Sequence, residues 1–390
     1  MVSLLEDVRV IDLTHVWFGP WCTLMLAELG AEVIKVEPPW GSLGRIPHIG
    51  PMYGGASATF HHLNLNKKDI AINLKDPRGR NTFLDLTARS DVVVENFTPG
   101  TMEDLGLGYE DLKSANEDVI YAALSGFGET GPYSDRPSFA VIAEAIAGFT
   151  RATGDNADPD GPPINMAGYF GDLGPGTMAA MTIIAALRHR DRGGGGQMID
   201  VAQLDCMMAY NTDVTTYLIS GKTSPERREE MQKLREKSSQ IRVGGIYQVS
   251  DGWIQVAGMR ARGIDALKEQ LGVEELKEDI IKNHISEMTR RETVEFFVDI
   301  GLPVAPIYYP YEATEDPHVK ARNLFTHVDH PKLGIIKVMN FPVKLSETPG
   351  EVKTAAPTLG QHNREILIDV LEYSVEEVEE LEKDGVIVSA

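Results

Sequence analysis

Cysteine is nearly missing from this sequence: Cys22 and Cys206 are the only two in 390 residues. Two such thiols form neither a disulfide framework nor a zinc-ligand spacing, and they fit buried free thiols in a reducing, cytoplasmic compartment. Positive charge is scarce too. The 37 Lys and Arg face 58 Asp and Glu, a formal net charge of −21. So acidic a chain argues against nucleic acid and an anionic membrane as main partners, and a polyanionic ligand would need a local basic cluster working against that field. Long apolar runs are lacking as well. The longest, around Met178–Leu187, is too short to span a bilayer. Glu6 and Asp7 occupy the first residues where a basic stretch ahead of an apolar core would mark a secretory signal, so none is expected. No G-x-G-x-x-G follows the first predicted strand, and Gly193–Gly196 lies between a predicted helix and strand rather than after a strand. Neither a nicotinamide site nor a P-loop is signalled, and a plain dehydrogenase is disfavoured.

What the chain does carry is an alternation of strand and helix. Val8–Leu13, Ala31–Val36, Ile70–Leu74, Asp91–Glu95, Val119–Leu124 and Ile199–Val201 read as strands. Helices are predicted over Pro20–Leu29, Arg78–Arg89, Tyr109–Ala115, Phe139–Phe149, Met178–Arg190 and Leu204–Leu218. The third-last of these should pack through Val141, Ile142 and Ile146, and Met178–Arg190 should be buried. The pattern predicts an α/β fold with a Rossmann-like parallel sheet and right-handed crossovers. Pro225–Lys237 is dense in charge, a solvated helix face or linker. A hairpin over Gly245–Gln255 and helices at Gly263–Gln270, Leu276–Asn283 and Arg291–Asp299 make a small α/β domain. Pro303–Pro310 and Asp316–Phe325 form a return linker. Ile335–Phe341 is a strand, and Glu365–Leu371 and Val375–Asp384 are amphipathic helices.

One carboxylate stands in unusual company. Asp172 is set among Gly168, Gly171, Gly174 and Gly176, just ahead of the Met178–Arg190 helix. Glycine permits close approach of backbone to ligand. A helix N-terminus favours an anion or a developing oxyanion, although on this stretch alone the commoner reading is that Asp172 or Thr177 simply caps the helix. Lys67, Lys68, Lys75, Arg78 and Arg80, with Arg45 upstream, are the local basic cluster; they read either as a phosphate seat or as a solvated loop and helix start. Glu95-Asn96-Phe97-Thr98-Pro99-Gly100 follows a buried strand, at the sheet edge where ligands collect, or is a Pro-Gly turn plugged by Phe97. His15 is a lesser acid–base candidate. His61 and His62, being adjacent, point apart and make no metal pair.

Several stretches, taken together and in order, resemble the class III CoA-transferases, the family of formyl-CoA transferase and the carnitine CoA-transferase. They are Val10–Thr14, Leu29–Glu37, Asn64–Lys68, Glu95–Gly100, Ser125–Gly128, Gly131–Tyr133, Gly196–Val201 and Thr358–His362. The resemblance implies a large Rossmann-like domain built from both chain ends (1–215 and 311–390), a linker and small α/β domain at 216–310, and an interlocked dimer. A homodimer is expected, with a heteromer of related subunits as the other possibility. It also implies that Asp172 is a nucleophile, carrying first an acyl group as an anhydride and then CoA as a thioester. Coenzyme A enters as the acyl-CoA substrate, with no metal or redox cofactor. By the same likeness Val16, Trp17, Phe18, Asn73, Leu74, Lys75, Asn96, Phe97 and Thr98 contact CoA, Arg45 and Lys75 hold its phosphates, and Phe139 lies near the thiol end.

Departures from the family pattern matter. Pro38 follows Glu37 where a basic residue is common, and basic residues common near Asp104 and Pro137 are not in their usual places. Trp17 and Phe18 are bulkier than in formyl-CoA transferase, so the acid exchanged should be larger than formate or oxalate, aromatic or a substituted dicarboxylic acid. The α-methylacyl-CoA racemase branch needs two opposed bases. It carries a histidine after the Gly-Pro-Tyr segment, where this chain reads Arg136-Pro137-Ser138-Phe139-Ala140. A non-catalytic CoA-binding subunit of a mixed oligomer is the remaining alternative, and retention of Asp172 argues against it.

Overall fold

The computed structural model describes residues 3–237, 244–257 and 261–389. The chain forms two compact units, Met1–Thr215 with Asn323–Ala390, and Thr216–Arg322. The first unit opens with β1 (Arg9–Asp12), α1 (Phe18–Glu28), β2 (Glu32–Glu37), β3 (Lys67–Ala71) and α2 (Pro77–Thr87). Then come β4 (Val92–Glu95), α3 (Tyr109–Ala115), β5 (Ile120–Ser125), α4 (Ala140–Ile146), α5 (Phe149–Ala157), α6 (Phe170–His189) and β6 (Gln197–Ala202). The six strands lie in the order β3-β2-β1-β4-β5-β6. Every neighbouring pair is parallel, the doubly wound order in which the chain leaves a central strand in one direction and then the other. Both faces are covered, which is why Val92-Val93-Val94 is continuously apolar. Val10 and Val33 pack towards α1 and α6, while Ile11 and Ile34 pack towards α2 and the returning C-terminal segment with Ile366, Leu367 and Val378.

Several expected elements shift, each for a local reason. The strand expected at Ile70–Leu74 runs over Lys67–Ala71, because Lys67 and Lys68 find carboxylates in Asp12 and Glu32; Asn73-Leu74-Lys75 is thereby freed as a loop at the sheet edge. The helix expected over Phe139–Phe149 breaks at Gly148, whose φ is 88°. Val141, Ile142 and Ile146 are exposed, and α4 packs instead through Ala140, Ala143, Glu144 and Ala147. Helix α6 starts at Phe170, so Asp172 lies inside its first turn rather than ahead of it. The helix is buried on one face only: Ala179, Ala180, Ile183, Ala186 and Leu187 are inside, while Met181 is 61% exposed. Phe170–Gly194 is long and apolar enough to cross a membrane by length and composition, unlike the shorter run read from the sequence, and half of that window is buried. The segment Leu204–Leu218 divides into α7 (Gln203–Tyr210) and α8 (Thr212–Ser220) at Asn211, whose amide donates to Ala147 O at 2.6 Å.

In the second unit the charge-dense run is α9 (Ser224–Lys237). The hairpin is β7 (Gly244–Val249) and β8 (Gly252–Ala257), followed by α10 (Ala261–Leu271), α11 (Glu278–Ile285) and α12 (Arg290–Asp299). The segment Pro303–Pro310 is not linker. Half-buried alternation lets β9 (Val304–Ile307) add to the hairpin, antiparallel to β8, and the unit continues to Arg322. Tyr247, Ile254, Leu267, Ile281 and Phe297 form its core. Back in the first unit, β10 (Phe325–His330) pairs with β11 (Gly334–Met339). Within the stretch Glu365–Leu371, a wide π turn spans Ile366–Val370. A capping box of Ser374 and Glu377 starts α13 (Val375–Lys383).

Under the carboxyl end of β1 sits a fully buried ionic group. Asp12 Oδ1 accepts from Thr14 N at 2.8 Å and Thr14 Oγ1 at 2.5 Å; its Oδ2 accepts from Thr23 Oγ1 at 2.7 Å and Lys67 Nζ at 2.9 Å. Lys35 Nζ is 3.9 Å from Asp12 Oδ1 and donates to Thr14 O at 2.6 Å. Burial alone would raise the Asp12 pKa, but Lys35, Lys67 and these hydrogen bonds hold the carboxyl well below its ordinary range. Removing one partner of such a pair leaves an uncompensated buried charge. Lys67→Met is expected to lower the free energy of unfolding by about 3–5 kcal/mol, measured by urea denaturation.

Candidate active site

In an open parallel sheet the connections on either side of the point where strand order reverses diverge, leaving a crevice beyond the strands' carboxyl ends. Here that point lies between β1 and β4. The loop after β1 (Leu13–Trp17) and the loop after β4 (Asn96–Thr98) flank it. The two are clasped together: Asn96 Oδ1 accepts from His15 N at 2.9 Å, and Asn96 Nδ2 donates to His15 O at 2.9 Å. Val16 is held at a φ of 69°. A β-branched residue in the left-handed region carries strain of about 1–3 kcal/mol, met here by the clasp and by the Lys35 hydrogen bond to Thr14.

The crevice holds a cavity of about 350 Å³ lined by Val16, Trp17, Phe18, Asn96, Phe97, Thr98, Phe139 and Asp172, so the structure brings these expected residues together. A second cavity of about 480 Å³ is lined by Asn73, Leu74 and Lys75, with Trp40 at its rim. His15, Leu43, Phe97 and Thr101 line both, so the two adjoin. Arg45 lines neither. It is paired with Glu37 at 2.6 Å and Asp69 at 3.5 Å and donates to Pro357 O. Its guanidinium is therefore committed inside the fold, and the expected phosphate role is corrected. Of the remaining basic cluster, Lys68 pairs with Glu32 and Glu365, and Arg78 with Asp76 and Asp384. Lys75 is the one lysine or arginine lining the second cavity among the described residues.

Asp172 is 8% exposed, at the third position of α6. Its segment is glycine-rich because three helices crowd it. A Cβ on Gly171 would sit 2.7 Å from Ala140 O, and one on Gly176 2.7 Å from Phe18 O. Gln203, the first residue of α7, donates Nε2 to Asp172 Oδ1 at 2.5 Å. Glu144 of α4 accepts Gly171 N at 2.9 Å through Oε1, while its Oε2 is buried without a partner. Asp172 N and Leu173 N both donate to Tyr169 O. The N–H groups of Gly171, Asp172 and Leu173 are thus engaged and are not open donors for an oxyanion. The donor placed beside the carboxylate is Gln203. Burial pushes the Asp172 pKa up, the Glu144 carboxylate pushes it further, and the Gln203 hydrogen bond offsets part, leaving it at about 7. Burial, with Lys35 nearby, lowers His15 to about 4, so its ring is neutral at pH 7 and a weak base.

Gln203, Glu144 and Trp40 escaped the sequence reading. Gln203 had a legible signal, since it directly follows β6 and so lies at the same sheet edge as the loops after β1 and β4. Glu144 gave none, being one acid in a helix whose buried face was misassigned. Trp17, on the lining of the first cavity, stacks on Tyr169 with centroids 4.5 Å apart and planes 25° apart.

The comparisons with known proteins follow the same line. A family model described as CoA-transferase family III matches residues 5–363. The chain is 35% identical to the succinyl-CoA–D-citramalate CoA-transferase of Chloroflexus aurantiacus, over 98% of each chain. It is 33% identical to the succinyl-CoA:mesaconate CoA-transferase of Haloarcula hispanica, covering 94% of this chain and 96% of that one. Among solved structures, a CAIB/BAIF family protein from Brucella suis aligns with a TM-score of 0.80 at 28% identity, over 95% of this chain and 100% of that chain.

The Asp172 environment has a stability consequence of definite sign. With a folded pKa of about 7 against an ordinary 3.8, the folded state binds the proton more tightly than the unfolded one. The penalty of ionising it is absent below about pH 4, grows as pH rises to 7 and is constant above. Asp172→Asn should therefore melt with the parent near pH 4 and at a higher temperature above pH 7, measured by calorimetry across that range. Glu144→Gln should lower the Asp172 pKa below about 7, read from the carboxyl carbon shift in a pH titration by NMR.

Proposed function

The chain belongs to CoA-transferase family III and is a CoA-transferase; from that premise we propose that Asp172 is the covalent relay between a donor acyl-CoA and an acceptor carboxylic acid. The observation that carries this reading is the placement of Asp172: a buried, proton-poised carboxylate in a cavity that adjoins a second, lysine-rimmed one. A carboxylate is a weak nucleophile in water, and burial together with a fixed position beside the thioester offsets that weakness. One oxygen of ionised Asp172 attacks the donor thioester carbonyl, and CoA leaves as thiolate, giving a mixed anhydride. The thiolate attacks the aspartyl carbonyl and expels the donor acid as carboxylate, giving an aspartyl-CoA thioester. The acceptor carboxylate attacks this thioester, again expelling thiolate. The thiolate then attacks the acceptor's own carbonyl, releasing the new acyl-CoA and free Asp172. Gln203 Nε2 steadies the oxyanion of the tetrahedral steps.

CoA lies across both cavities. Its nucleotide end sits against Trp40 and Asn73–Lys75, with Lys75 on phosphate as a charge-assisted contact. The pantetheine arm passes Leu43 and Phe97, which line both spaces, and its sulfur reaches Asp172 near Phe139. The two relatives act, by their names, between succinyl-CoA and substituted dicarboxylic acids. This supports an acid larger than formate or oxalate, of the short substituted dicarboxylic class rather than the aromatic one. The exposed apolar residues Val141, Ile142, Ile146 and Met181 support burial against a second copy in a cytoplasmic homodimer.

Incubation with succinyl-CoA, quenching with hydroxylamine and peptide mass spectrometry is expected to place a hydroxamate on Asp172. Labelling should rise as pH climbs through about 7, where the carboxyl ionises. Asp172→Ala should lack the adduct and lose about 10⁴-fold or more in transfer rate. Undiminished transfer by that variant would overturn the reading.

A further inference from the structure

Within the cavity that holds Asp172, the titratable lining residues are His15, Arg136 and Asp172. His15 is neutral at pH 7. Arg136 is the one lysine or arginine on that lining among the described residues, and no carboxylate lies within ion-pair distance of it. Its guanidinium is nonetheless held in place. It lies 3.6 Å over the ring of Tyr133, and Tyr133 is braced edge-on by Phe127 at 5.7 Å. Phe127 belongs to the turn that follows β5 at the same sheet edge, so the cation is placed by the scaffold. Stacking on an aromatic face occupies the flat side of a guanidinium and leaves its N–H edges open. Those edges match a carboxylate with two parallel hydrogen bonds.

We propose that Arg136 receives the distal carboxylate of the exchanged dicarboxylic acid. This rests on the placement of acyl-CoA proposed above. With CoA's phosphates at Lys75 in the other cavity, the acyl chain is the part of the substrate that extends past Asp172 into the space Arg136 lines. The donor acid and the acceptor acid occupy that space in turn, because both are joined to Asp172 through the same carbonyl-bearing end. One cation therefore serves both half-reactions. It also screens the negative charge that a dicarboxylate brings towards a chain of net charge −21. A monocarboxylic acyl chain has no group to offer there and leaves Arg136 in water.

The test is equilibrium binding in the full-length Asp172→Asn protein, which cannot turn over. Succinyl-CoA, butyryl-CoA and free CoA are the probes, matched in nucleotide and differing in the distal carboxylate. The parent should prefer succinyl-CoA over butyryl-CoA. Adding Arg136→Gln should cut that preference by about tenfold to a hundredfold, and Arg136→Lys should restore part of it, keeping the charge without the fork. A preference that survives Arg136→Gln overturns the proposal. So does an equal weakening of all three probes, which would make Arg136 a phosphate contact or a structural residue. The relay reading is tested apart from this, by the adduct on Asp172 in the otherwise unaltered chain. Lost preference with no adduct would leave the Arg136 seat standing and remove the nucleophile.

Discussion

The site depends on a charge taken out of water at the end of the first strand. Asp12 is fully buried, and the cost of burying it is met by two lysines and by hydrogen bonds to Thr14 and Thr23. Lys35 reaches from β2 and Lys67 from β3, so one carboxylate ties together three adjacent strands. The same Lys35 fixes the carbonyl of Thr14, the first residue of the loop that becomes the cavity wall. Isolated buried pairs are poor stabilisers, and their best-attested use is to specify one arrangement. Here that arrangement is the path of the chain into a left-handed Val16, which no propensity favours. Asn96 then clasps the loop from the far side of the switch point.

A second constraint acts on Asp172. It sits where helices α1, α4 and α7 meet the start of α6, and glycine is needed because backbone atoms approach within what a methyl group would occupy. Burial among these helices, with the Glu144 carboxylate nearby, raises the carboxyl's pKa. The fold thus gives up stability at neutral pH to keep a carboxylate poised between its two forms, as functional sites commonly do.

Much of this was legible in the residues. The strand–helix alternation gave the parallel sheet, and the loops after β1 and β4 were marked by position alone. The glycine cluster marked Asp172, although its place inside the helix was missed because Gly and Pro read as helix breakers and tertiary packing overrode them. Arg45 was misjudged because a sequence shows charge but not commitment: Glu37 and Asp69, which claim it, lie on β2 and β3 and are drawn together only by sheet register. Val141, Ile142 and Ile146 looked like core by hydropathy, while the chain uses alanines at that contact so that α4 can approach α6. Gln203 was marked only by its place directly after β6, and Glu144 reaches the Asp172 segment through a helix packing that no local pattern encodes.

The joining of the two cavities through Leu43, Phe97 and Thr101 has a kinetic meaning. On the proposed route, sulfur is expelled and must return twice in each cycle. A thiol free to diffuse away would have to be recaptured from dilute solution each time. Anchored by its nucleotide in the neighbouring space, it stays on a short tether, and its return is intramolecular at a high effective concentration. Acids can then trade places beside Asp172 while the carrier stays seated, and it departs only once it bears the new acyl group.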